Sequence, residues 1–506
     1  MTRADKVVAC PLADLLAGIA QVPAGLEVSD LTVASGEVRP GGAFLACAGR
    51  TTHGLAHADE AIERGARVIL WEPVAELRVP EFPEGIFALP VPHLRAQLGV
   101  LADRYFGAPS ASMALVGITG TNGKTTTAWL AAQALAACGR RASYSGTLGY
   151  GAPGDLRASS HTTPDAVTVH RQLAAQRDAG ADCVAMEVSS HALDQGRVAG
   201  VRFHTAVFTN LTRDHLDYHG TMAAYGAAKA ALFDWPTLAA RVINVDDPFG
   251  VALANSHRDA RGRLVTVSRR DRATLRAVAM RAAARGLELD LESEWGSGTI
   301  ATRLVGEFNA DNALAVLGVL LAADVPFEAA RRAIGACTAP PGRMESFGGE
   351  AGAPLAIVDY AHTPDALEKA LAAARAHCRG RLSVVFGCGG DRDPGKRPLM
   401  GAIASRGADR LWITDDNPRT EAAALITAAI AAGVEAGTDF HIEHDRAAAI
   451  RAALDSAQGG DAVLIAGKGH EDYQIIGHER RAFSDQAVVR AALAARGLRG
   501  VQGVGT

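Results

Sequence analysis

A lysine and two threonines behind a glycine turn carry the clearest chemistry in this sequence: Gly120-Thr-Asn-Gly-Lys-Thr-Thr126. Glycines let backbone N–H groups close around an anion, and a helix starting there adds the positive end of its dipole. Lys124 would neutralise β/γ-phosphate charge, and a hydroxyl such as that of Thr125 can ligate Mg²⁺. The spacing departs from the general Walker pattern, which wants a glycine five residues before Gly123, where Ile118 stands. The competing reading is a plain glycine turn at a helix start. Carboxylates and imidazoles follow at strand ends. Glu187 closes the apolar run 183–188, and Asp214, His215, Asp217 and His219 crowd into six residues after the run 205–210. Oxygen ligands with an imidazole suit a hard cation that also accepts nitrogen. A polar loop with a capped helix would look similar. Further on, three turns are rich in charge or glycine: 387–393, Asp415-Asp-Asn-Pro-Arg419, and Gly467-Lys-Gly-His-Glu471.

The elements needed to position these groups are alternating strands and helices. Residues 114–118 read as a buried parallel strand and 126–138 as an Ala-rich helix, so the glycine turn sits at a strand's carboxyl end. The runs 355–359, 382–386, 411–414 and 462–466 read as further strands, whose ends would form one rim of a parallel sheet. Residues 1 to about 110 also alternate short strands and helices, and the candidates for ligand contact there are Ser35 and the polar turn Arg50-Thr-Thr-His53. Solvated turns explain those two equally well. Residues 306–312 lead into an apolar helix with Asn309 or Asp311 as its expected N-cap. Lys229 lies on an apolar helix pattern, 225–233, where a lysine ordinarily runs its stem along the surface and keeps its charge in water.

With 506 residues the chain exceeds one core, and breaks near 110 and 338 divide it into three expected domains, 1–110, 111–338 and 339–506. A net charge of −4 without a long Lys/Arg block argues against a general nucleic-acid binder. Seven scattered cysteines with no Cys-x-x-Cys pair suggest reduced thiols rather than a disulfide frame or zinc site. Arg3 and Lys6 precede no apolar stretch of signal-peptide type, and the most apolar helix, 313–323, is too short to span a bilayer. A cytoplasmic, soluble protein without membrane insertion is expected.

Taken together, the phosphate loop, Glu187-Val-Ser-Ser-His, Asn210-Leu-Thr-Arg-Asp-His-Leu-Asp-Tyr-His-Gly, Gly342-Arg-Met-Glu, Asp359-Tyr-Ala-His and Gly467-Lys-Gly-His-Glu resemble the Mur ligase family. The phosphate loop also resembles that of the related folylpolyglutamate synthetases. The likeness runs from about residue 114 to the C-terminus and is looser before it. The family's usual Asp-Ser-Arg turn stands here as Ala34-Ser35-Gly36, so only Ser35 carries over.

The resemblance implies an α/β, three-domain Mur ligase architecture: a UDP-sugar-binding N-terminal domain, a central P-loop ATPase domain and a C-terminal Rossmann-like domain that binds an amino acid. The implied reaction is Mg²⁺- and ATP-dependent amide formation through an acyl phosphate. The implied substrates are a UDP-MurNAc-dipeptide (UDP-N-acetylmuramoyl-L-alanyl-D-glutamate), meso-diaminopimelate and ATP. A monomer is expected. By resemblance, Gly120, Thr121, Asn122, Gly123, Lys124, Thr125 and Thr126 hold ATP, joined by Asn309 and Arg343. Thr125, Glu187 and His215 hold Mg²⁺, with Lys229 as a carbamate at a second ion; Lys124, Lys229 and His215 are the expected catalytic set. Ser35, Thr162, Thr163, Ser189, Gln195 and Arg197 contact the UDP substrate. Asp416, Asn417, Pro418 and Arg419 resemble the motif of diaminopimelate-adding members, with Arg392, Gly467 and Glu471 completing that site. A guanidinium fork suits the distal carboxylate that distinguishes diaminopimelate from lysine. A folate-directed ligase and a non-catalytic nucleotide sensor are the competing readings; the acid and Arg at strand ends argue against the second.

Overall fold

The computed structural model describes residues 9–49, 52–283, 285–350 and 352–502, with side chains to residue 496. Arg3, Lys6, Arg50 and Thr51 of the sequence reading therefore lie outside the described residues. The chain divides into two compact units that meet between Thr266 and Val267.

The first unit opens with a four-stranded parallel sheet, β1 (Leu31–Thr32), β2 (Ala43–Ala46), β3 (Val68–Trp71) and β4 (Phe87–Pro90), with helices α1 (Ala58–Glu63) and α2 (Leu94–Tyr105). A larger parallel sheet follows. Among its strands are β5 (Ala114–Thr119), β6 (Ala142–Gly146), β7 (Cys183–Glu187), β8 (Phe203–Phe208) and β9 (Ala240–Asn244), with α3 (Lys124–Ala137), α4 (Ala166–Asp178), α5 (Ser190–Asp194) and α6 (Met222–Ala230) between them. Neighbours run β6-β7-β5-β8-β9, so the strand that feeds the glycine turn is central, flanked by the strand ending in Glu187. The two sheets are tied together by Asp103 on α2. It takes a two-pronged pair from Arg202 at 3.1 Å and faces His170 of α4 at 3.6 Å.

The second unit begins with an antiparallel meander, β10 (Leu275–Ala283), β11 (Gly286–Ser293) and β12 (Gly296–Ala301), then helix α7 (Phe308–Ala322). Neither Asn309 nor Asp311 caps α7, contrary to expectation: Glu307 occupies the cap position, and its side chain makes no capping hydrogen bond among the described residues. The turn at Gly306, φ +91°, starts the helix earlier. Asn309 is thereby buried inside the first turn, bonded to Val305 O and Asn312, while Asp311 pairs with Arg269 at 2.6 Å.

A six-stranded sheet completes the unit: β13 (Glu345–Gly348), β14 (Leu355–Asp359), β15 (Leu382–Phe386), β16 (Arg410–Ile413), β17 (Phe440–Ile442) and β18 (Ala462–Ala466). Helices α8 (Pro364–His377), α9 (Lys396–Gly407), α10 (Arg446–Ser456) and α11 (Asp485–Gln502) surround it, and a hairpin, β19 (Tyr473–Ile476) with β20 (Glu479–Ala482), precedes α11. The order is β13-β14-β18-β15-β16-β17, all parallel except β13. Leu355, Ile357, Leu382, Val384, Leu411 and Leu464 pack into one core; Ala356, Val358, Val385, Val463 and Ile465 pack into another. Both faces are buried, which is why these strands read as unbroken apolar runs. Among the described residues no helix is long and apolar enough to cross a membrane.

Candidate active site

Helix α3 starts at Lys124, two residues ahead of the sequence expectation, because Gly123 at φ +84° turns the chain into it. Gly120 stands at φ +154°, and a Cβ there would collide with the Thr209 hydroxyl. The turn is braced by the strand next door. Thr121 N donates to Asn210 O (2.8 Å), Asn122 N to Asn210 Oδ1 (2.9 Å), and the Thr209 hydroxyl to Asn122 O (2.6 Å). Lys124 Nζ curls back to Gly120 O at 2.9 Å and Thr121 O at 2.8 Å.

Lys229 is not the surface lysine its helix pattern predicts. The face of α6 bearing Tyr225, Gly226 and Lys229 is buried, and Lys229 is 1% exposed. Its Nζ lies 4.3 Å from the centre of the Tyr225 ring and donates to the same Gly120 carbonyl, at 2.8 Å. Burial, reinforced by the positive Lys124, pulls the Lys229 amine down to about 6. A neutral amine beside a phosphate loop is a nucleophile in waiting.

Glu187, also 1% exposed, receives the Thr125 hydroxyl on Oε2 (2.9 Å), and the Tyr144 hydroxyl (2.5 Å) and Thr147 N (2.9 Å) on Oε1. Thr125 thus meets the carboxylate across neighbouring strands, giving hard oxygen donors of the kind Mg²⁺ uses when phosphates and water complete its shell. His215 sits at φ +50° with its ring against His191 (4.9 Å between centres) and Tyr225 (6.0 Å). No group of three or more His, Cys, Asp or Glu able to enclose a metal forms among the described residues.

The expected peptide contacts do converge on the end of β7. The Thr162 and Thr147 hydroxyls are 2.9 Å apart, and the Thr163 hydroxyl donates to Glu187 O at 2.9 Å while accepting Ser189 N at 3.2 Å. Ser189 caps α5. Arg197 reaches Thr163 O and Gln195 Oε1, both at 2.9 Å, and Gln195 donates to the Tyr218 hydroxyl at 3.0 Å. Ser35 follows β1 and gives its hydroxyl to Glu60 at 2.6 Å. Of the polar turn 50–53, Thr52 and His53 are described: Thr52 O accepts Gly49 N, His53 Nε2 meets Glu72 O at 2.8 Å and Nδ1 accepts Leu55 N.

The second unit assembles the Asp416–Arg419 motif on the sheet rim. Arg419 is held at φ +52° by the hairpin: its N–H donates to Ile475 O (3.1 Å) and its carbonyl accepts Gly477 N (2.7 Å). Nη1 donates to Gly390 O at 2.8 Å, which leaves the Nε–Nη2 edge without a hydrogen bond among the described residues. Arg392 is exposed, its stem beside Gly389 as is Arg419 Nη1. Pro418 is buried, and Asn417 Nδ2 donates to Glu471 Oε2 at 3.0 Å. Gly467, φ +118°, passes so close to Asp416 that a Cβ would press on Oδ2. Burial pushes the Asp416 carboxyl up, and the nearby Arg446 and Lys468 cations oppose that.

Sequence reasoning missed two cations below this rim. Lys468 is fully buried, its Nζ 2.9 Å from Glu471 Oε2, 3.2 Å from Asn417 Oδ1 and 3.9 Å from Asp416 Oδ1. Arg446 forms a buried two-pronged pair with Asp485 (2.8 and 2.7 Å) and donates to Ala466 O. Lys468 was visible as the unassigned middle of Gly467-Lys-Gly469; Arg446, in an Ala-rich helix, gave no signal. In the same unit Arg343 lies over the Tyr360 ring at 4.8 Å, its buried Nε without a hydrogen-bond partner among the described residues, and Tyr360 leans on His470.

The chain matches the Mur ligase middle domain over residues 118–320 and the Mur ligase glutamate ligase domain over residues 342–469. It is 48% identical over 472 residues to the UDP-N-acetylmuramoyl-L-alanyl-D-glutamate–2,6-diaminopimelate ligase of Ectopseudomonas mendocina (strain ymp), covering 93% of this chain and 96% of that protein. The ligase of the same name from Xanthomonas campestris pv. campestris (strain 8004) is 48% identical over 495 residues, 98% of this chain and 99% of its own. A solved structure of a ligase of that name aligns with a TM-score of 0.73 at 34% identity, covering 97% of this chain and 99% of the other. With both domains matched in chain order and near-half identity over almost its whole length, the chain belongs to the Mur ligase family.

Proposed function

We propose that this chain is an ATP-dependent ligase that adds meso-2,6-diaminopimelate to the D-glutamate of UDP-N-acetylmuramoyl-L-alanyl-D-glutamate, releasing ADP and phosphate. The γ-phosphoryl group passes to the glutamate carboxylate, the amine attacks the resulting acyl phosphate, and phosphate leaves from the tetrahedral adduct. The difficulty is bringing a carboxylate against a triphosphate, so the residues that screen charge dominate. Lys124 and the amides of residues 120–126 hold the β/γ-phosphates, with Asn309 on the adenine side and Arg343 on the phosphate side. Thr125 and Glu187 would hold Mg²⁺ and His215 would add an imidazole; the bound ion screens the two anions as they approach. Lys229, as a carbamate, contributes an anion at a second ion position. Thr162, Thr163, Ser189, Gln195 and Arg197 orient the dipeptide, and Ser35 the UDP end.

The choice of amino acid rests on one observation: the Nε–Nη2 edge of Arg419 is the open side of a guanidinium whose other end is fixed on Gly390 O. That edge pairs with the distal carboxylate of diaminopimelate, supported by Arg392, and Glu471 with the Gly467 backbone takes the distal ammonium. The three-domain division at about 110 and 338 is part of this reading, as is a cytoplasmic setting. A monomer is part of the same reading.

The test is kcat/KM for diaminopimelate and lysine in the wild type, Arg419→Ala and Arg419→Lys. The wild type should prefer diaminopimelate by roughly 10³-fold or more, since a site built around a carboxylate rejects an analogue lacking it. Arg419→Ala should lose most of that preference, and Arg419→Lys should not restore it, because an ammonium cannot make the two-pronged contact. Equal use of both amino acids by the wild type would leave only the broader family assignment standing.

A further inference from the structure

Lys468, in the 467–471 turn, has no role in the reaction as described, yet its side chain is fully buried. An ammonium taken out of water must be matched by acceptors with good geometry, or it destabilises the fold. Here the acceptors are two residues of the amino-acid site. Lys468 Nζ donates to Asn417 Oδ1 (3.2 Å) and to Glu471 Oε2 (2.9 Å), and Asn417 Nδ2 closes the triangle by donating to the same Glu471 oxygen (3.0 Å). The Asn417 amide has only one workable orientation. Its oxygen also accepts Ile475 N at 2.9 Å, so oxygen faces two donors and nitrogen faces an acceptor. Glu471 Oε2 is therefore saturated by two donors. Oε1 has no hydrogen bond among the described residues, and the side chain is 18% exposed.

We infer that Lys468 is a positioning residue for amino-acid selection: its buried ammonium ties Asn417 and Glu471 into one ring, so that Glu471 presents a single fixed oxygen to the distal ammonium of the incoming amino acid. The inference rests on the diaminopimelate reading above and adds the group that pre-orients the acceptor. Asn417 leaves the sheet after β16 and Glu471 after β18, and β15 lies between those strands. Lys468 is what joins the two loops below the rim. Without it Glu471 keeps one donor and regains rotamer freedom, so the ordering cost moves to the moment of binding.

A structural strut and a positioning residue differ in what they do to selectivity. The probe is 2-aminopimelate, which has the reacting amine and both carboxylates of diaminopimelate and lacks only the distal amine. In the wild type, kcat/KM for diaminopimelate should exceed that for 2-aminopimelate by roughly 10²-fold or more, as for sites that hydrogen-bond an N–H group. In Lys468→Met that ratio should fall to about tenfold or less, through KM for diaminopimelate, with KM for ATP unchanged. Lys468→Gln, which keeps a donor, should lie between. The ratio does not depend on how much of a variant is folded, so partial unfolding does not obscure it. Unchanged ratios in both variants, with both amino acids slowed alike, would overturn the inference and leave the diaminopimelate reading intact. A wild type that makes no distinction between diaminopimelate and lysine would instead overturn that reading, and this inference with it.

Discussion

Two lysines share the carbonyl oxygen of Gly120, and only one of them can comfortably carry a charge. Lys124 reaches solvent at the loop, whereas Lys229 is walled in by Tyr225 and sits near 6. The carbamate proposed for Lys229 would form by attack of the amine lone pair on CO₂: a N–C bond would form, a proton would leave the nitrogen, and the group would become an anion. In enzyme depleted of CO₂, added bicarbonate should raise wild-type activity. Lys229→Met should lose at least ~10²-fold in kcat, on the scale of removing one preorganised charged group, and Lys229→Glu should recover part of it without responding to bicarbonate. Stability should move the other way. An unfolded lysine titrates near ~10.4, so between about pH 6 and 10 the unfolded chain holds a proton that the folded chain lacks. Wild-type stability therefore rises with pH over that window. In CO₂-free buffer Lys229→Met should melt higher than the wild type by at least roughly 2–4 °C at pH 6, and the gap should close towards pH 10. Parallel melting curves across that range would contradict a buried neutral amine. The helix pattern placed Lys229 on one face with Tyr225; what lies opposite a helix face is not written in the helix.

At the scale of elements, the hairpin β19–β20 braces the proposed amino-acid site. It supplies Ile475 O to the Arg419 N–H, Ile475 N to Asn417, and Gly477 N to the Arg419 carbonyl. These bonds hold a non-glycine residue in the left-handed region, a conformation that costs on the order of 1 kcal/mol and persists only when its surroundings impose it. Ile475→Pro removes the N–H that Asn417 accepts and keeps the carbonyl. Losing one such bond is worth about 1 kcal/mol, so kcat/KM for diaminopimelate should fall roughly five- to tenfold while KM for ATP stays as it was. An equal loss for ATP would mean that the change disturbs more than this site. The hairpin escaped the sequence reading because all of β20 is exposed, so no alternation marks it. The motif it holds was legible, since a charged turn after an apolar strand is a local feature.

At the scale of the whole molecule, the second unit keeps a guanidinium and a carboxylate entirely out of water. Arg446 and Asp485 are both fully buried, and one Arg446 nitrogen, Nη1, has no hydrogen-bond partner among the described residues. Arg446→Met should cost about 3–5 kcal/mol by stranding Asp485, and the double variant Arg446→Met/Asp485→Leu should recover much of that loss. Chemical denaturation of the three proteins measures it; a single variant as stable as the wild type would show that the pair carries no net weight. The sequence by itself determined the parallel α/β character, the glycine turn, and the acids and arginine at strand ends, because each is a pattern within a few consecutive residues. It did not determine that Thr125 meets Glu187, that Lys229 is buried, or that Lys468 joins Asn417 to Glu471. Those contacts follow from strand order. β18, the last strand of its sheet in the chain, inserts between β14 and β15, and β7 lies beside β5. Strand order is set by how whole elements pack their apolar faces, a property that no local stretch of residues contains.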